Sequence, residues 1–346
     1  MSSPDRPEAD FDVGALAAWL LDAAPQVGRV AAVRRFAGGQ SNPTYAVEAS
    51  GGRFVLRRKP FGALLPSAHA VEREYRVISC LHRAGFPVPQ PQALCEDASV
   101  IGSSFYVMSL ADGRLFWDGA LPGMAPEERR GLYRSAIATL VHLHSFDPQA
   151  IGLGDYGRPG NYVGRQVGRW TRQYRESPVD KLATMDRLAD WLAGSIPEQN
   201  HVSVVHGDYR IDNMVFHAAS HDMLAVLDWE LSTLGDPVAD FAYFLMNWVT
   251  DAEPGRAGLR GLDLAALCIP DLAETCDLYA QLSGRSLPAS MDWHLAYNFF
   301  RLAAISHGIA GRVLAGTASS ADARAAGARF ATLAEAGWRH AVAAGA

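Results

Sequence analysis

Between residues 204 and 240 the chain sets polar groups at fixed intervals between apolar runs, and no other feature constrains its fold as strongly. Val204-Val205 delivers His206-Gly207-Asp208, and Asn213 follows five residues after that acid, opening the apolar run Met214-Val215-Phe216. Fifteen residues beyond Asn213, Ala225-Val226-Leu227 ends in Asp228-Trp229-Glu230, and Gly235-Asp236-Pro237 then leads to Asp240. Short apolar runs bounded by turn residues read as buried strands. An acid, an amide and a second acid therefore fall at strand ends.

Upstream, Gly14 to Ala24 reads as an amphipathic helix with Leu16, Trp19 and Leu20 on one face. Strands are expected at Val30–Phe36, Thr44–Ala49 and Arg53–Arg58, the last two joined by the hairpin signal Ser50-Gly51-Gly52. Ser67 could cap a helix that ends at Arg83, stopped by Gly85 and Pro87. Two more strands follow, Ala93–Glu96 and Ser104–Leu110, before helical periodicity takes over at Pro126–Phe146, Tyr162–Arg175 and Lys181–Ala193. Five strands ahead of a mostly helical remainder make an α+β, two-lobed layout with its boundary near residue 110, giving lobes 1–110 and 111–346.

Phosphoryl transfer needs an acid to orient the attacking hydroxyl and oxygen ligands to hold Mg²⁺ on nucleotide phosphates. Protein kinases supply these as H-R-D-x-x-x-x-N and D-F-G. Here H-G-D-x-x-x-x-N and D-W-E stand in the same order. Together with Gly235-Asp-Pro-Val-Ala-Asp240, this text resembles the aminoglycoside phosphotransferase-like kinases of the protein-kinase-like superfamily, and is similar to the branch fused to acyl-CoA dehydrogenases in animals. The likeness runs from the strand at Val30 to the helix around Arg301.

The resemblance implies a bilobal protein-kinase-like fold, with ATP and Mg²⁺ as cofactors. It makes Asp208 the catalytic base, Asn213 and Asp228 the magnesium ligands, and His206 a brace of the catalytic loop. Arg210 and Asp212 would form structural pairs in that loop, and Asp240 would anchor it from beneath. Gly38-Gly39-Gln40-Ser41-Asn42, after the first strand, would cover phosphates with backbone N–H groups. The strand-three lysine position falls on Arg57, a departure from V-A-I-K; Lys59 lies on the same strand face by period two and competes for the role. Glu74 matches the helix acid that holds this cation, with Glu72 two positions off register. Met108 would approach the adenine and the Ser109–Leu110 backbone would bond its edge, unless this is a plain edge strand. Glu230 could touch metal or acceptor, or lie at the surface.

Composition bears on what receives the phosphate. The formal charge of −6 argues against a general nucleic-acid binder. Asp228 and Asp240 stand too close for a long activation segment, so a small-molecule hydroxyl is a better acceptor than a protein. Arg158, Arg165, Arg169, Arg172 and Arg175 fall in one acid-free stretch, with Tyr162, Trp170 and Tyr174 between them. Arg165, Arg169 and Arg172 share a helix face, either as a solvated surface or as a wall for an anionic acceptor. An anionic hydroxy acid or hydroxyacyl-CoA fits the second possibility. An aminoglycoside or macrolide antibiotic kinase and a catalytically silent nucleotide-binding scaffold are the alternatives; aminoglycosides, being polycations, call for an acidic wall.

Other features carry less. Four dispersed cysteines with no C-x-x-C pair suit reduced thiols, and the polar N-terminus has no signal-peptide core. The apolar run Phe241–Val249 is far short of a membrane span. A cytoplasmic location without membrane partners is expected. His142 and His144, two apart on a helix, suit packing rather than a shared metal, and Trp191, Trp248, Trp293 and Trp338 read as packing aromatics.

Overall fold

The computed structural model describes residues 9–36, 42–62, 69–316 and 323–346. In chain order these form α1 (Val13–Ala23), β1 (Val30–Arg35), β2 (Thr44–Ala49), β3 (Gly52–Arg58), α2 (Val71–Arg83), β4 (Pro91–Cys95), β5 (Phe105–Ser109) and β6 (Arg114–Leu115). There follow α3 (Pro126–Ser145), α4 (Tyr162–Glu176), α5 (Ala183–Gly194), β7 (Ser203–Val205), β8 (Met214–Phe216), β9 (Met223–Val226) and β10 (Thr233–Gly235). The chain ends in α6 (Pro237–Val249), α7 (Leu264–Leu267), α8 (Leu272–Ser283), α9 (Asp292–Leu314), α10 (Ala323–Ala328) and α11 (Phe330–Ala343).

Contacts divide the chain into two compact units, residues 1–115 with 213–232, and residues 116–212 with 233–346. The first is built on a five-stranded antiparallel sheet in the order β1-β2-β3-β5-β4. Helix α1, capped by Asp12 accepting from the Gly14 and Ala15 N–H groups at 2.8 and 3.0 Å, lays Leu16 and Leu20 on this sheet. They join Tyr45, Val47, Leu56, Phe105 and Val107 in one apolar cluster. The expected helix start at Ser67 lies outside the described residues.

The hairpin β8–β9 belongs to this first unit although it is distant in sequence. Arg114 pairs with Phe216 in register, and its guanidinium donates to the His217 and Ser220 carbonyls at 3.0 and 2.6 Å. The Val226 N–H donates to the Pro87 carbonyl at 2.9 Å, and Phe86 meets Trp229 edge-on. The two-residue strand β6 was not expected; so short a run shows no alternation to read.

The second unit is helical around the two-stranded ladder β7–β10. Helix α6 is buried along nearly its whole length, which accounts for the apolar run at 241–249. The long α9 packs against α4, α6 and α11. Gly337 permits the close approach of α11, because a Cβ there would come 2.6 Å from Leu188. Among the described residues no helix is long and apolar enough to cross a membrane.

Candidate functional site

In the first unit the alternation of β3 sorts its cations. Arg58 points into the sheet's packed face, only 1% exposed, donating to Asp10 at 2.6 Å and to the Tyr45 hydroxyl at 3.3 Å. Arg57 and Lys59 point the other way, toward α2. Lys59 pairs with Glu72 at 2.8 Å. Arg57 meets three carboxylates: Glu74 at 2.9 Å, Asp228 at 2.8 Å and Glu230 at 3.3 Å. Its contact with Glu74 is an ion pair through Nε rather than an aligned hydrogen bond.

Glu74 is the buried hub of this group, 2% exposed. The Asn42 amide donates to it at 2.7 Å and the Tyr106 hydroxyl at 3.1 Å. Burial pushes its carboxyl up to about 7, with Arg57 opposing and Asp228 and Glu230 adding to the rise. Burial works against the charge on Arg57, but the surrounding carboxylates outweigh it and raise its pKa. Asn42 is thus turned to the α2 acid, while Gly38, Gly39, Gln40 and Ser41 of the expected phosphate loop lie outside the described residues.

One hairpin holds both expected magnesium ligands. Met214 pairs with Val226, and the Leu227 N–H donates to the Asn213 carbonyl at 2.8 Å, which sets Asn213 across from the residue before Asp228. Asp228 has φ +63°, a left-handed conformation that Asp tolerates better than most residues. Such strain concentrates at functional turns. Trp229 turns inward, 2% exposed, donating to the Val226 carbonyl. Asn213 and Asp228 fit Mg²⁺, since both offer hard oxygens and the ion commonly takes only one or two protein carboxylates beside phosphate and water. Among the described residues no three His, Cys, Asp or Glu side chains form a free-standing metal cage.

Met108 and Ser109 close β5. Of the Ser109–Leu110 backbone expected to bond an adenine edge, the two N–H groups are not free to do so. Ser109 N–H donates to the Gln90 carbonyl at 2.8 Å and Leu110 N–H to the Arg53 carbonyl at 3.0 Å, so both donors are engaged by neighbouring strands.

In the second unit the loop after β7 is held from several sides. Asp240 on α6 accepts from the His206 and Gly207 N–H groups, each at 2.8 Å, and faces His144 Nε2 at 3.2 Å. Burial alone would raise its carboxyl, but the His144 contact, the His206 charge and that backbone bond hold it below the ordinary value. Gly207 has φ +80°, which explains glycine between His206 and Asp208. His206 Nδ1 lies 3.1 Å from Asp208 N. Arg210 pairs with Asp212 at 2.9 Å and with Asp208 at 3.4 Å.

Two residues that sequence reasoning missed also hold the loop. The Tyr243 hydroxyl donates to Asp208 Oδ1 at 2.6 Å, and Arg301, 6% exposed, donates to the Gly207 carbonyl at 2.6 Å. The available signal was position: Tyr243 stands three residues after Asp240, on the same face of α6.

The arginine segment divides in two. Tyr162, Val163, Val167, Trp170 and Tyr174 form the buried face of α4. Arg175 pairs with Asp190 at 2.7 Å, and Arg165 donates to the carbonyls of Gly160 and Arg158, closing the turn before its own helix. Arg169 and Arg172 remain exposed and, with Arg312 of α9, line a groove of about 600 Å³ whose only lining acid among the described residues is Glu176. Arg165 does not line it; of the expected trio, Arg169 and Arg172 do, beside Arg312.

Comparison with known proteins agrees with this architecture. The model of a family described as "Phosphotransferase enzyme family" matches residues 32–279. The chain is 43% identical over 305 residues to mouse acyl-CoA dehydrogenase family member 10, covering 88% of this chain and 28% of that protein. It is 42% identical over 327 residues to chicken acyl-CoA dehydrogenase family member 11, covering 92% and 42%. The chain thus spans less than half the length of these relatives. A solved Ralstonia eutropha protein of the aminoglycoside phosphotransferase type is 47% identical, with TM-score 0.85 and coverage of 96% and 98%. Spectinomycin phosphotransferase, solved with ADP and spectinomycin, shares the fold at TM-score 0.62 with 12% identity, covering 96% of this chain and 99% of its own.

Proposed function

The chain belongs to the phosphotransferase enzyme family, and from that premise we propose that it transfers the γ-phosphate of ATP, with Mg²⁺, to a hydroxyl of an anionic small molecule. The observation that carries this is the His206–Asp208 loop, tied at successive residues by Asp240, Arg301 and Tyr243 so that one carboxylate is presented in a fixed orientation. Asp208 accepts the hydroxyl proton as the acceptor oxygen bonds to the γ-phosphorus and the bond to the departing ADP oxygen breaks. General bases of this kind contribute about 10²–10⁴ in rate.

Arg57, held by Glu74, takes the phosphate-facing cation's role, while Lys59 is engaged with Glu72. Asn213 and Asp228 hold Mg²⁺, which when bound neutralises charge on the transferring phosphate. Met108, near the end of β5, faces the adenine.

For the acceptor, the support is the groove of Arg169, Arg172 and Arg312. Arg301, Gly308 and Arg312 follow i, i+7, i+11 spacing along one face of α9. At 1.5 Å per residue the groove arginine stands about 16 Å beyond Arg301, which touches the catalytic loop. That reach suits an extended acceptor with its hydroxyl at Asp208 and an anionic end among the arginines. The acyl-CoA dehydrogenase names of the relatives favour a hydroxy acid or hydroxyacyl-CoA.

The test is a screen of hydroxy acids, hydroxyacyl thioesters, kanamycin-type amines and macrolides for Mg²⁺-dependent ATP consumption, with Asp208→Ala beside native protein. Transfer to a hydroxyacyl thioester, lost in Asp208→Ala, is the expected result. Efficient transfer to kanamycin alone overturns the acceptor class. Equal background hydrolysis in both proteins leaves only a nucleotide-binding scaffold.

A further inference from the structure

Helix α6 carries more of the catalytic loop than its anchoring acid. Asp240 and Tyr243 are three residues apart and so share a helix face. From that face Asp240 takes the N–H groups of His206 and Gly207, and Tyr243 donates its hydroxyl to the carboxylate of the next residue, Asp208, at 2.6 Å. Three consecutive loop residues are thus tied to one turn of one helix.

The tyrosine is itself fixed. Tyr243 is 6% exposed, and the Arg301 guanidinium lies 5.2 Å from its ring centroid, the distance at which a cation is attracted to an aromatic face. The same guanidinium donates to the Gly207 carbonyl at 2.6 Å. Among the described residues Arg301 forms no ion pair with a carboxylate. The buried cation is retained here by the loop carbonyl, the aromatic face and the nearby charge of Asp208. Among the described residues the Tyr243 hydroxyl bonds one ionised group, Asp208, and a short hydrogen bond to a carboxylate is among the stronger ones a protein makes.

Resting on the phosphotransferase function proposed above, we propose that Tyr243 is a positioning residue that locks the Asp208 carboxylate in its productive rotamer, with Arg301 holding both the tyrosine ring and the Gly207 carbonyl. Tyr243 touches neither nucleotide nor acceptor in this role. It fixes one carboxylate oxygen so that proton transfer from the acceptor hydroxyl occurs without a prior search of side-chain conformations. Loss of such fixing lowers the rate of the chemical step and leaves ground-state binding unchanged.

The experiment is a double-mutant cycle on the full chain with Tyr243→Phe and Asp208→Asn, using whichever acceptor the screen identifies. Phe keeps the ring against Arg301 and removes only the hydroxyl. We expect Tyr243→Phe to lower kcat by about 10- to 100-fold, with KM for ATP and for the acceptor changed less than about twofold. In the Asp208→Asn background the same change should alter kcat less than about threefold, because a residue acting through Asp208 has nothing left to position. A purely structural tyrosine would instead give two losses that multiply, and that result overturns the proposal. So does an unchanged kcat, or a loss confined to KM. Thermal unfolding of native protein, Tyr243→Phe, Asp208→Ala and the double variant keeps the contact testable apart from turnover, since Ala removes the acceptor oxygen that Asn would keep: additive changes in stability would mean that the hydroxyl and the carboxylate do not interact, and would also overturn it. A native protein that transfers phosphate to no acceptor overturns the function proposed above, whereas a competent native enzyme indifferent to Tyr243→Phe overturns the positioning role alone.

Discussion

Arg57 stands where three carboxylates meet, and its chemistry suits an arginine there better than a lysine. A guanidinium presents donors in a planar fork, so one side chain can face Glu74 through Nε while another nitrogen reaches Asp228. An ammonium is a point charge and cannot span both. Arg57→Ala would leave Glu74 buried without its cation and should cost about 3–5 kcal/mol in denaturant unfolding. Arg57→Lys should cost less, about 1–2 kcal/mol, because charge is kept while one charge-assisted contact is lost. Equal losses for the two variants would show that geometry at this position is immaterial. The resemblance put the lysine position on Arg57, and Lys59 competed for the role, since period two puts both on one face. Only the partner of each, Glu74 or Glu72, separates them, and those partners come from a helix whose register against the strand no local pattern encodes.

A second residue gives the second unit a pH signature. His294 on α9 is 5% exposed, its Nδ1 has no hydrogen-bond partner, and burial pushes its pKa down to about 4. Its folded value lies below the unfolded value of about 6.5. Its contribution is therefore complete above pH 6.5 and is lost as pH falls toward 4, where the unfolded chain binds the proton first. A shift of about 2.5 units at 1.36 kcal/mol each sets the loss at about 3 kcal/mol. His294→Gln should flatten the pH dependence of unfolding between 6.5 and 4; an unchanged slope would remove His294 as its source.

At the scale of elements, α6 holds the His206–Asp208 loop within the second unit, and the β8–β9 hairpin holds Asn213 opposite Leu227 within the first. Asp240 satisfies two loop N–H groups and meets His144, which in turn lies 2.8 Å from the Tyr279 hydroxyl. Asp240→Ala would strip partners from all of them in a buried setting, where each unsatisfied group costs about 1–3 kcal/mol. We expect a loss of at least about 3 kcal/mol in thermal or denaturant unfolding, much larger than for an exposed acid such as Asp190.

The α6 acid was legible because Gly235-Asp-Pro-Val-Ala-Asp240 is part of the text that carries the family resemblance. It also showed most strands and helices, because alternation and 3.6-residue periodicity are local properties. It could not show that residues 213–232 group with residues 1–115. That grouping depends on the Pro87 carbonyl, the Phe86 ring and the Arg114 guanidinium, each more than 100 residues from its partner. Tyr243 was hidden for a related reason: in the run Phe241 to Val249 one aromatic among several reads as core. Arg301 was hidden because nothing in a helical sequence marks a carbonyl as its target.

At the scale of the whole chain, a formal charge of −6 would by itself repel an anionic acceptor. The groove of Arg169, Arg172 and Arg312 places opposite charge within a few ångströms of any ligand seated in it. Interactions beyond about 8–10 Å are largely screened at physiological salt, so the near arginines outweigh the distant excess of acids. Added salt weakens both effects, and the larger one decides the sign. In the native protein KM for an anionic acceptor should rise several-fold between about 50 and 500 mM salt. In Arg169→Gln with Arg172→Gln the local attraction is mostly gone and the net repulsion remains. KM should then start higher and stay level or fall as salt is added. KM for ATP, measured in the same assays, is the control, and its salt dependence should not differ between the two proteins. Identical acceptor salt slopes in native and doubly substituted protein would place the anionic end of the acceptor elsewhere than this groove.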